Sequence, residues 1–417
     1  MFRQIEGSRA VAETVALCRP EVVCGYPISP QTHIIEAIGV LVKTGELAPC
    51  EFINVESEFA AMSVSIGASA TGARAFTATA SQGLLFMMEA LYNAGGLGLP
   101  IVMTLANRAV GAPINIWNDH SDAMAARDAG WIQLFAETNQ EAADLHILAF
   151  RLGEELSVPV MVCMDGFILT HATEQVDMPD QKQVDDFLPP FEPRQLLSPD
   201  EPYSIGAMVG PDAFTEVRYL AHARQRQALE RIPEMSAEFA EAFGRDSGGL
   251  LHPYRSVDAE VVVVAMGSVL GTIKDVVDTQ RDDGLRIGAL GITSFRPFPM
   301  DAVRTGLRGA RQVVVVEKSF SAGFGGVLST DVAMALSELP VSVATVVAGL
   351  GGRIITKTSL QRVFAAAARG ELPQLTFLDL NEKLVEGELA RISQRRRSGP
   401  TAENILRDLG TVASGIG

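Results

Sequence analysis

One segment, residues 54–83, constrains the fold of this 417-residue chain more than any other. An apolar strand-like run at residues 52–55 leads to a single acid, Glu58, and then to a helix-like run of small residues. A second strand-like run at residues 75–79 ends at Ser81-Gln82-Gly83. Strand, helix and strand in this order predict a βαβ unit whose two strands lie parallel in one sheet.

Glu58 is the most distinctive residue of this segment. A carboxyl group in dry, closely packed surroundings resists losing its proton. Such a group is suited to sharing a proton with a weakly basic heterocycle. The plainer alternative is that Glu58 only complements the positive end of the helix that follows it. Taken alone, the residue leaves both interpretations open.

Strand-like and helix-like runs alternate up to about residue 170. Strand-like runs at 22–25, 100–106 and 158–164 are followed by Tyr26-Pro27, Asn107-Arg108 and Asp165. In parallel sheets, ligands collect at the carboxyl ends of the strands. We therefore expect these residues, with Glu58 and Ser81-Gln82, to lie along one edge of the sheet.

The rest of the chain indicates a second α/β unit. From Glu260 onwards, four β-branched runs typical of buried parallel strands occur at 261–265, 287–292, 313–316 and 341–347. Prolines gather and periodicity fails over 176–211, before a helical stretch at 212–245. The predicted fold class is α/β, with two doubly wound parallel-sheet domains. The predicted division is a first domain at 1–175, a crossover and helical linker at 176–255, a second domain at 256–380, and a C-terminal helix and tail at 381–417.

Composition argues against several classes of protein. The net charge of −16 argues against a nucleic-acid or anionic-membrane surface. Charged residues interrupt the N-terminal apolar positions, so no signal peptide is expected, and the apolar runs are far shorter than a membrane span. The four cysteines show no cluster spacing and are expected to be reduced, mostly buried thiols. We expect a cytoplasmic protein without a metal-ligand set of its own.

Several motifs surround Glu58 in a specific order. They are Gly25-Tyr26-Pro27-Ile28-Ser29-Pro30, Asn107-Arg108-Ala109, Asn118-Asp119-His120-Ser121-Asp122, Asn139-Gln140-Glu141 and Asp165-Gly166-Phe167. In order and spacing they resemble the α subunit of the multi-subunit 2-oxoacid:acceptor oxidoreductases, the family of pyruvate:ferredoxin oxidoreductase. The resemblance runs from about Glu6 to about Gly352, and within the family we favour the phenylglyoxylate dehydrogenase branch. It implies a thiamine-diphosphate pyrimidine-binding fold followed by a transketolase C-terminal-like domain.

The resemblance also implies roles for individual residues. Glu58 would activate thiamine diphosphate, and Ser29 and Arg108 would bind the substrate carboxylate. The other residues expected beside the cofactor are Pro27, Ile28, Ser81 and Gln82. In the family the position of Ser29 is usually threonine, so its pocket is either slightly wider here or unaffected.

Arg108 has a structural alternative. A guanidinium offers a planar fork that matches a carboxylate, which supports a role in substrate binding. The same group would otherwise stabilise strand ends or bridge to Asp119 or Asp122.

Four further residues are expected at a pocket or lip: His33, Trp117, Asp119 and His120. His33 would either form a polar pocket wall or face a neighbouring chain. In the pyruvate enzymes an aromatic residue often stands where His120 does, which bears on substrate identity. A hydrogen-bonded structural histidine is the alternative for His120.

Half of a thiamine site is absent from the sequence. The diphosphate is normally held through Mg²⁺ by a Gly-Asp-Gly motif and a later asparagine, and Asp165-Gly166 does not match it. A partner β subunit is therefore expected to hold the diphosphate and Mg²⁺. The resemblance implies γ and ferredoxin-like δ subunits, which carry iron–sulfur clusters, and in the phenylglyoxylate branch an NAD-linked flavoprotein subunit with FAD.

The predicted reaction is oxidative decarboxylation of a 2-oxoacid, phenylglyoxylate or pyruvate, to acyl-CoA and CO₂. Coenzyme A is the acyl acceptor, and the electrons pass to the partner clusters and then to ferredoxin or NAD. The alternative enzyme is the β chain of the E1 component of a conventional 2-oxoacid dehydrogenase. A non-catalytic scaffold of the same fold is the alternative from another class.

Overall fold

The computed structural model describes residues 2–202, 204–393 and 399–411. Its strands are β1 (Phe2–Glu6), β2 (Val22–Gly25), β3 (Glu51–Asn54), β4 (Ala75–Thr79), β5 (Val102–Asn107), β6 (Ile132–Phe135), β7 (Val160–Asp165), β8 (Thr173–Asp177), β9 (Leu251–Tyr254), β10 (Val261–Ala265), β11 (Ile287–Ile292), β12 (Ser294–Arg296), β13 (Gln312–Glu317), β14 (Ser342–Val347) and β15 (Leu375–Phe377).

The helices are α1 (Gly7–Leu17), α2 (Thr32–Thr44), α3 (Glu58–Ala70), α4 (Ser81–Phe86), α5 (Met88–Leu97), α6 (Ser121–Ala125), α7 (Asn139–Leu156), α8 (Gln181–Phe187), α9 (Pro211–Phe243), α10 (Val269–Asp282), α11 (Met300–Leu307), α12 (Leu328–Ala335), α13 (Lys357–Ala368), α14 (Glu382–Ser393) and α15 (Thr401–Asp408). A short 3-10 turn lies at Leu350–Gly352.

Two large sheets organise the chain. The first has seven strands in the order β12-β6-β7-β5-β4-β2-β3, and the second has six in the order β15-β14-β13-β10-β11-β9. Neighbouring strands are parallel except at one edge of each sheet, where β12 pairs with β6 and β9 with β11 in antiparallel fashion. This architecture confirms the predicted α/β class with two parallel-sheet units.

Buried side chains cover both faces of each sheet. One cluster packs α1, α2, α7 and α9 on one face of the first sheet, and another packs α10 and α13 on one face of the second. A third cluster is continuous between the remaining faces, with contributions from α3, α5, α11 and α12. The two sheets therefore share apolar core, which fixes their relative position.

The structure adds elements that the sequence pattern did not predict. Helix α8 lies within the predicted extended crossover, and its N-terminus is fixed by a capping box between Asp180 and Gln183. The four-residue strand β6 lies in the first sheet between β7 and β12.

Three strands pair with strands of a different predicted domain or extend across a predicted boundary. Strand β9, inside the predicted linker, joins the second sheet, and β12, inside the predicted second domain, joins the first. Strand β8 extends across residue 175 and pairs with β1. The boundaries at 175, 255 and 380 stay predictions.

The C-terminal region is described in part. Helices α14 and α15 lie in the predicted helix and tail at 381–417, whereas residues 394–398 and 412–417 lie outside the described residues. Among the described residues, none of the helices combines the length and apolar character needed to cross a bilayer. All four cysteines are free thiols, and three of them are buried.

Candidate active site

Glu58 is the first residue of α3, immediately after the helix cap. The Ser57 hydroxyl accepts a hydrogen bond from the Ala60 N–H at 3.2 Å, which starts the helix. Glu58 is only 7% exposed, yet its carboxylate forms no hydrogen bond with any residue that the structure describes. A carboxylate largely removed from water gains from a hydrogen-bond partner. The Glu58 oxygens are not fully enclosed, so the position fits a group that binds from outside this chain.

Gly83 allows α4 to approach this carboxylate. A Cβ atom on Gly83 would lie 2.7 Å from Glu58 Oε1 and 2.5 Å from Thr79 Oγ1, closer than side chains tolerate. Any larger residue at this position would therefore force the Glu58 or Thr79 side chain, or α4 itself, to move. The carboxylate lies between the start of α3 and the start of α4, where the sequence predicted a site.

Ser81 holds the turn from β4 into α4. Its φ angle of 50° is in the left-handed region, which is unusual for a residue with a side chain. Its hydroxyl donates to the Ala109 carbonyl at 2.5 Å and also contacts Gln82 Oε1. Because both groups are within the protein, Ser81 shapes the site through these contacts. The direct cofactor contacts expected of Ser81 and Gln82 stay predictions.

Asp122 joins the segments that carry the site. Its fully buried carboxylate accepts hydrogen bonds from the backbone N–H groups of Ser81, Arg108 and Ala123 at 3.0, 2.9 and 2.8 Å. The Asn107 side-chain amide donates a fourth at 2.9 Å. Burial raises the pKa of Asp122 to about 6, against the opposing effect of these donors. Asp122 thus fixes the end of β5 against the start of α4.

Arg108 is buried and held in place by carbonyl groups. Its Nε donates to the Asn115 carbonyl at 3.0 Å, and its Nη1 donates to the Ser29 carbonyl at 2.8 Å. Burial lowers the pKa of Arg108, and Asp122 acts in the opposite direction. Asp122 accepts from the Arg108 backbone, and Asp119 bonds elsewhere, so neither forms the ion pair considered above. The remaining nitrogen, Nη2, has no hydrogen bond to the described part of the chain.

The Gly-Tyr-Pro-Ile-Ser-Pro turn lies beside Arg108. Pro27 and Ser29 are exposed and Ile28 is half-buried. Buried Gln31 ties the turn to the sheet, because its Oε1 accepts from the Ile28 N–H at 3.2 Å and its Nε2 donates to the Ala78 carbonyl at 2.8 Å. The turn therefore places the Ser29 backbone next to the guanidinium. The role of the Ser29 hydroxyl in binding a carboxylate stays a prediction.

The second sheet supports the loop at residues 115–119. Asn115 Nδ2 donates to the Gly351 carbonyl at 3.1 Å, and Asp119 Oδ2 accepts from the Gly351 N–H at 3.0 Å. Trp117 is 53% exposed, and its ring contacts that of Phe167 with centroids 4.9 Å apart. Asp119 is thus a structural anchor of this loop, and Trp117 stands at its exposed surface.

His120 does not reach the predicted lip. It is 2% exposed, its Nε2 lies 2.7 Å from Asp165 Oδ1, and its ring packs edge-on against Phe135. The structural alternative for His120 therefore agrees with its surroundings. The sequence could not distinguish the two because the residues that enclose His120 come from distant segments.

Asp165 is fully engaged within the chain. Its carboxylate accepts hydrogen bonds from Asn118 Nδ2 at 3.1 Å, from Lys318 Nζ at 3.0 Å and from the Ser268 N–H at 3.1 Å, and it also contacts the Ser268 hydroxyl. It consequently offers no free oxygen to a Mg²⁺ ion. This agrees with the absence of the Gly-Asp-Gly motif.

His33 lies on the other side of the Ser29 turn. It is exposed on the first turn of α2, and its Nδ1 is 2.7 Å from Glu6 Oε1. Its ring lies 4.6 Å from that of His171. Both alternatives for His33, a pocket wall and a surface toward another chain, agree with this position.

The residues of this edge form one connected group. Glu58 contacts Gly83, the Ser81 N–H donates to Asp122, and Asp122 in turn accepts from the backbone of Arg108. Exposed apolar side chains flank the group, and Phe59 and Phe86 next to Glu58 are in ring contact at 6.5 Å. An unpartnered buried acid, a glycine cradle and apolar rings fit the pyrimidine end of thiamine diphosphate. They offer nothing for its diphosphate.

Solved structures with this architecture define the class of fold. The chain superposes on a 2-oxoglutarate:ferredoxin oxidoreductase from Magnetococcus marinus with a TM-score of 0.68 at 17% identity, covering 88% of this chain and 65% of that one. It superposes on a split-gene transketolase with a TM-score of 0.52 at 16% identity, covering 89% and 99%. At these identities the likeness concerns the fold.

Sequence comparisons identify the family. Residues 13–237 match the thiamine-diphosphate-binding family of pyruvate flavodoxin/ferredoxin oxidoreductases, and residues 259–360 match core domain II of pyruvate:ferredoxin oxidoreductase. The pyruvate synthase subunit PorA of Methanosarcina barkeri is 48% identical over 91% of this chain and 97% of its own length. The ketoisovalerate oxidoreductase subunit VorA of Pyrococcus abyssi is 40% identical over 86% and 91%. The chain belongs to the 2-oxoacid:ferredoxin oxidoreductases, as an α subunit.

Sequence reasoning missed Gln31 and Lys318. It named Gly83, Asn118 and Asp122 within motifs but did not assign them the contacts that the structure shows. Asp122 carried a signal, because an acid at the end of a polar run after a buried strand often organises backbone N–H groups. Lys318 had none, since its partners come from another sheet.

Proposed function

We propose that this chain is the α subunit of a thiamine-diphosphate-dependent complex that converts pyruvate and coenzyme A to acetyl-CoA and CO₂. Two electrons leave the substrate and pass to iron–sulfur clusters on partner subunits and then to ferredoxin. The observation that carries the proposal is the buried, unpartnered carboxylate of Glu58 in its glycine cradle. When bound, the cofactor supplies the electron sink that makes loss of CO₂ from a 2-oxoacid feasible.

Glu58 would act as the acid–base group of the cofactor site. Its carboxyl group is largely buried and has no hydrogen-bond partner in the described chain, so it is available to a ring nitrogen of the aminopyrimidine. A partner subunit that covers the exposed rings of Phe59 and Phe86 would restrict water there, which favours a shared proton. Pro27 and Ile28, beside the sheet edge, would complete the wall on the side of the turn.

Arg108 and Ser29 would hold the substrate carboxylate. The two carbonyl contacts of Arg108 fix the plane of its guanidinium. Its Nη2, which bonds to none of the described residues, and the nearby Ser29 hydroxyl then provide oriented donors. Arg108 and Ser29 would thus orient the substrate carboxylate without contacting the side chain of the 2-oxoacid.

A partner β subunit would provide the diphosphate and Mg²⁺ half of the site. The Asp165 carboxylate is bonded to Ser268 and Lys318 of its own chain, so the ligands of Mg²⁺ would come from the partner subunit. The exposed apolar side chains Phe59, Phe86, Ile114 and Ile116 form a surface of the kind that protein partners cover. The γ and ferredoxin-like δ subunits with their clusters belong to the same proposal.

Pyruvate is favoured as the substrate because relatives at 48% and 44% identity are pyruvate synthase subunits. A ketoisovalerate enzyme stands at 40% identity, so a branched 2-oxoacid is the next candidate. The phenylglyoxylate branch, with NAD and an FAD-containing flavoprotein subunit, stays a prediction without support from these relatives. So does the cytoplasmic location.

The test is to purify the native complex through a tag on this chain and to assay it. Pyruvate, 2-oxoisovalerate, indolepyruvate and phenylglyoxylate would be supplied in turn with coenzyme A, using viologen, ferredoxin or NAD as acceptor. We expect coenzyme A-dependent reduction of viologen and ferredoxin with pyruvate. Turnover of phenylglyoxylate in its place would favour the aryl branch, and dependence on lipoamide would favour the E1 β alternative. A complex without thiamine diphosphate would refute the proposal.

A further inference from the structure

A cluster of potential metal ligands lies away from Glu58. It consists of Glu6 at the end of β1, His33 on the first turn of α2 and His171 in the connection between β7 and β8. One ligand atom from each lies within 4.8 Å of the others. Glu6 Oε1 is already 2.7 Å from His33 Nδ1.

The three ligands come from segments that are far apart in sequence. Strand β1 pairs with β8, which brings Glu6 opposite Thr173 and so beside His171. Helix α2 then places His33 over both. The side chains of His33 and Glu6 are 50% and 35% exposed, so an ion can reach them from solvent.

Two imidazoles and one carboxylate are a ligand set that Zn²⁺ uses in proteins. Zinc–ligand bonds of about 2.0–2.2 Å place tetrahedral ligand atoms about 3.3 Å apart. Small side-chain rotations would bring atoms within 4.8 Å to that spacing. Water would complete the coordination.

One ring nitrogen of His171 bonds within the chain, which leaves the other nitrogen for a metal ion. Its Nδ1 lies 2.7 Å from the hydroxyl of buried Thr170, and its Nε2 has no hydrogen bond to any residue that the structure describes. The Thr170 hydroxyl is itself fixed by the Phe167 N–H at 2.8 Å. The Phe167 and His33 rings both pack against the imidazole, with centroids 4.8 and 4.6 Å away. Such outer contacts orient the ring for metal binding.

We propose that Glu6, His33 and His171 bind one divalent transition-metal ion of the Zn²⁺ class. The ion would cross-link β1, α2 and the connection after β7 at the base of the Ser29 turn. The aromatic contacts from His171 through Phe167 to Trp117 extend from this metal site toward the loop at 115–119. The proposal is independent of the thiamine chemistry.

The test is calorimetric titration of the chelator-treated, full-length chain with Zn²⁺, with Co²⁺ absorption as a second reporter of coordination. We expect one equivalent to bind. His33→Gln and His171→Gln should each weaken binding at least about tenfold, because each removes a ligand. His222→Gln, at a histidine outside the cluster, should leave it unchanged.

Thr170 provides a second, less direct test. Thr170→Val removes the hydroxyl that orients His171 and should weaken Zn²⁺ binding by about 10–100-fold, whereas Thr170→Ser should retain it. Circular dichroism of each metal-free variant checks that the fold is intact. The proposal fails if the His33→Gln/His171→Gln double variant binds Zn²⁺ as the unaltered chain does. It also fails if the unaltered chain shows no one-equivalent binding.

Discussion

Asp165 and Lys318 form a buried ion pair, with 3.0 Å between Oδ2 and Nζ, that joins the carboxyl ends of β7 in the first sheet and β13 in the second. Burial by itself would raise the pKa of Asp165, but the charges of Lys318 and His120 hold it well below its usual range. Asn118 contacts both members of the pair and donates to the Asn107 carbonyl at 3.2 Å. Because Asn107 precedes Arg108, the second sheet supports the substrate side of the proposed site.

Removing Lys318 should destabilise the whole protein. Lys318→Met leaves the Asp165 carboxylate buried without its main counter-charge, which typically costs about 3–5 kcal/mol. The free energy of unfolding in urea is the measurement. Lys357→Met is the matched control, because Lys357 pairs with Asp275 at the exposed surface and such pairs contribute at most about 1 kcal/mol. Equal losses in the two variants would contradict the assigned role.

The pair also predicts an acid dependence. The native pKa of Asp165 is depressed, so its contribution to stability is present above the unfolded pKa of an aspartate and is lost as pH falls through the native value. The difference in unfolding free energy between the unaltered chain and Lys318→Met should therefore narrow below about pH 4. Urea titrations across that range measure it. A difference that stays constant down to about pH 2 would contradict the pairing.

Protonation of Asp122 should lower kcat/KM at acid pH and so give the pH profile of activity an acidic limb. Its pKa is raised to about 6, so the carboxylate gains a proton as pH falls below that value and accepts its four hydrogen bonds less strongly. The native state binds this proton more readily than the unfolded state, so Asp122 contributes most favourably to the free energy of unfolding at low pH. Its effect on activity has the opposite sign, because activity needs the carboxylate. We expect kcat/KM to fall about tenfold per pH unit below about 6.

Asp122→Asn is the variant that tests this limb. An amide keeps the shape but cannot accept all four bonds, so activity should drop at every pH and the limb at about pH 6 should disappear. Asp128→Asn, at an exposed aspartate, should retain the original profile. An unchanged limb in Asp122→Asn would assign it to another group.

Arg108 should govern affinity for the 2-oxoacid. Arg108→Lys keeps the charge but loses the planar fork and its contacts with Asn115 and Ser29. We expect kcat/KM to fall about 10–100-fold, mainly through KM, since charged hydrogen bonds contribute about 1.5–3 kcal/mol. Steady-state kinetics of the complex provide the measurement, with Arg127→Lys, half-exposed beside Asp128, as the control. An unaltered KM would remove Arg108 from the substrate site.

Gly83 should be intolerant of even one methyl group. The Cβ of Gly83→Ala would lie 2.7 Å from Glu58 Oε1, so either the carboxylate or α4 must move. The thiamine content of the purified complex should fall by at least about tenfold, as expected when a positioning contact of a site is displaced by about an ångström. Gly67→Ala, in α3, should retain the cofactor, because its added methyl group would meet no described atom within 4 Å. Equal thiamine content in both variants would show that Gly83 is not needed to leave room for the Glu58 carboxylate.

The sequence predicted the sheet units because their patterns are local. Runs such as 261–265 are strands whatever surrounds them, and residues that follow parallel strands must meet at one edge. For the same reason Glu58, Ser81 and Arg108 could be placed together from the sequence alone. Strand β6 and helix α8 were not predicted because each is too short to show a periodic pattern of apolar residues.

The contacts between segments could not be read from the sequence. His120 was expected at the lip, but it is enclosed by Phe135 and Asp165 from two other strands. Ser81 was expected beside the cofactor, but the sequence did not indicate that its N–H donates to Asp122 or that its hydroxyl donates to the Ala109 carbonyl. Both depend on the positions of residues that lie far apart in the chain, which a local pattern does not encode.

We propose that Glu58 is the acid–base group of a thiamine site. The most direct measurement is turnover and thiamine content of the complex carrying Glu58→Gln, compared with Glu56→Gln at the exposed neighbouring acid. We expect Glu58→Gln to assemble normally but to lose about 10²–10⁴-fold in kcat, the usual contribution of such a group, while Glu56→Gln is unaffected. Full turnover of an assembled Glu58→Gln complex would show that Glu58 is not this acid–base group.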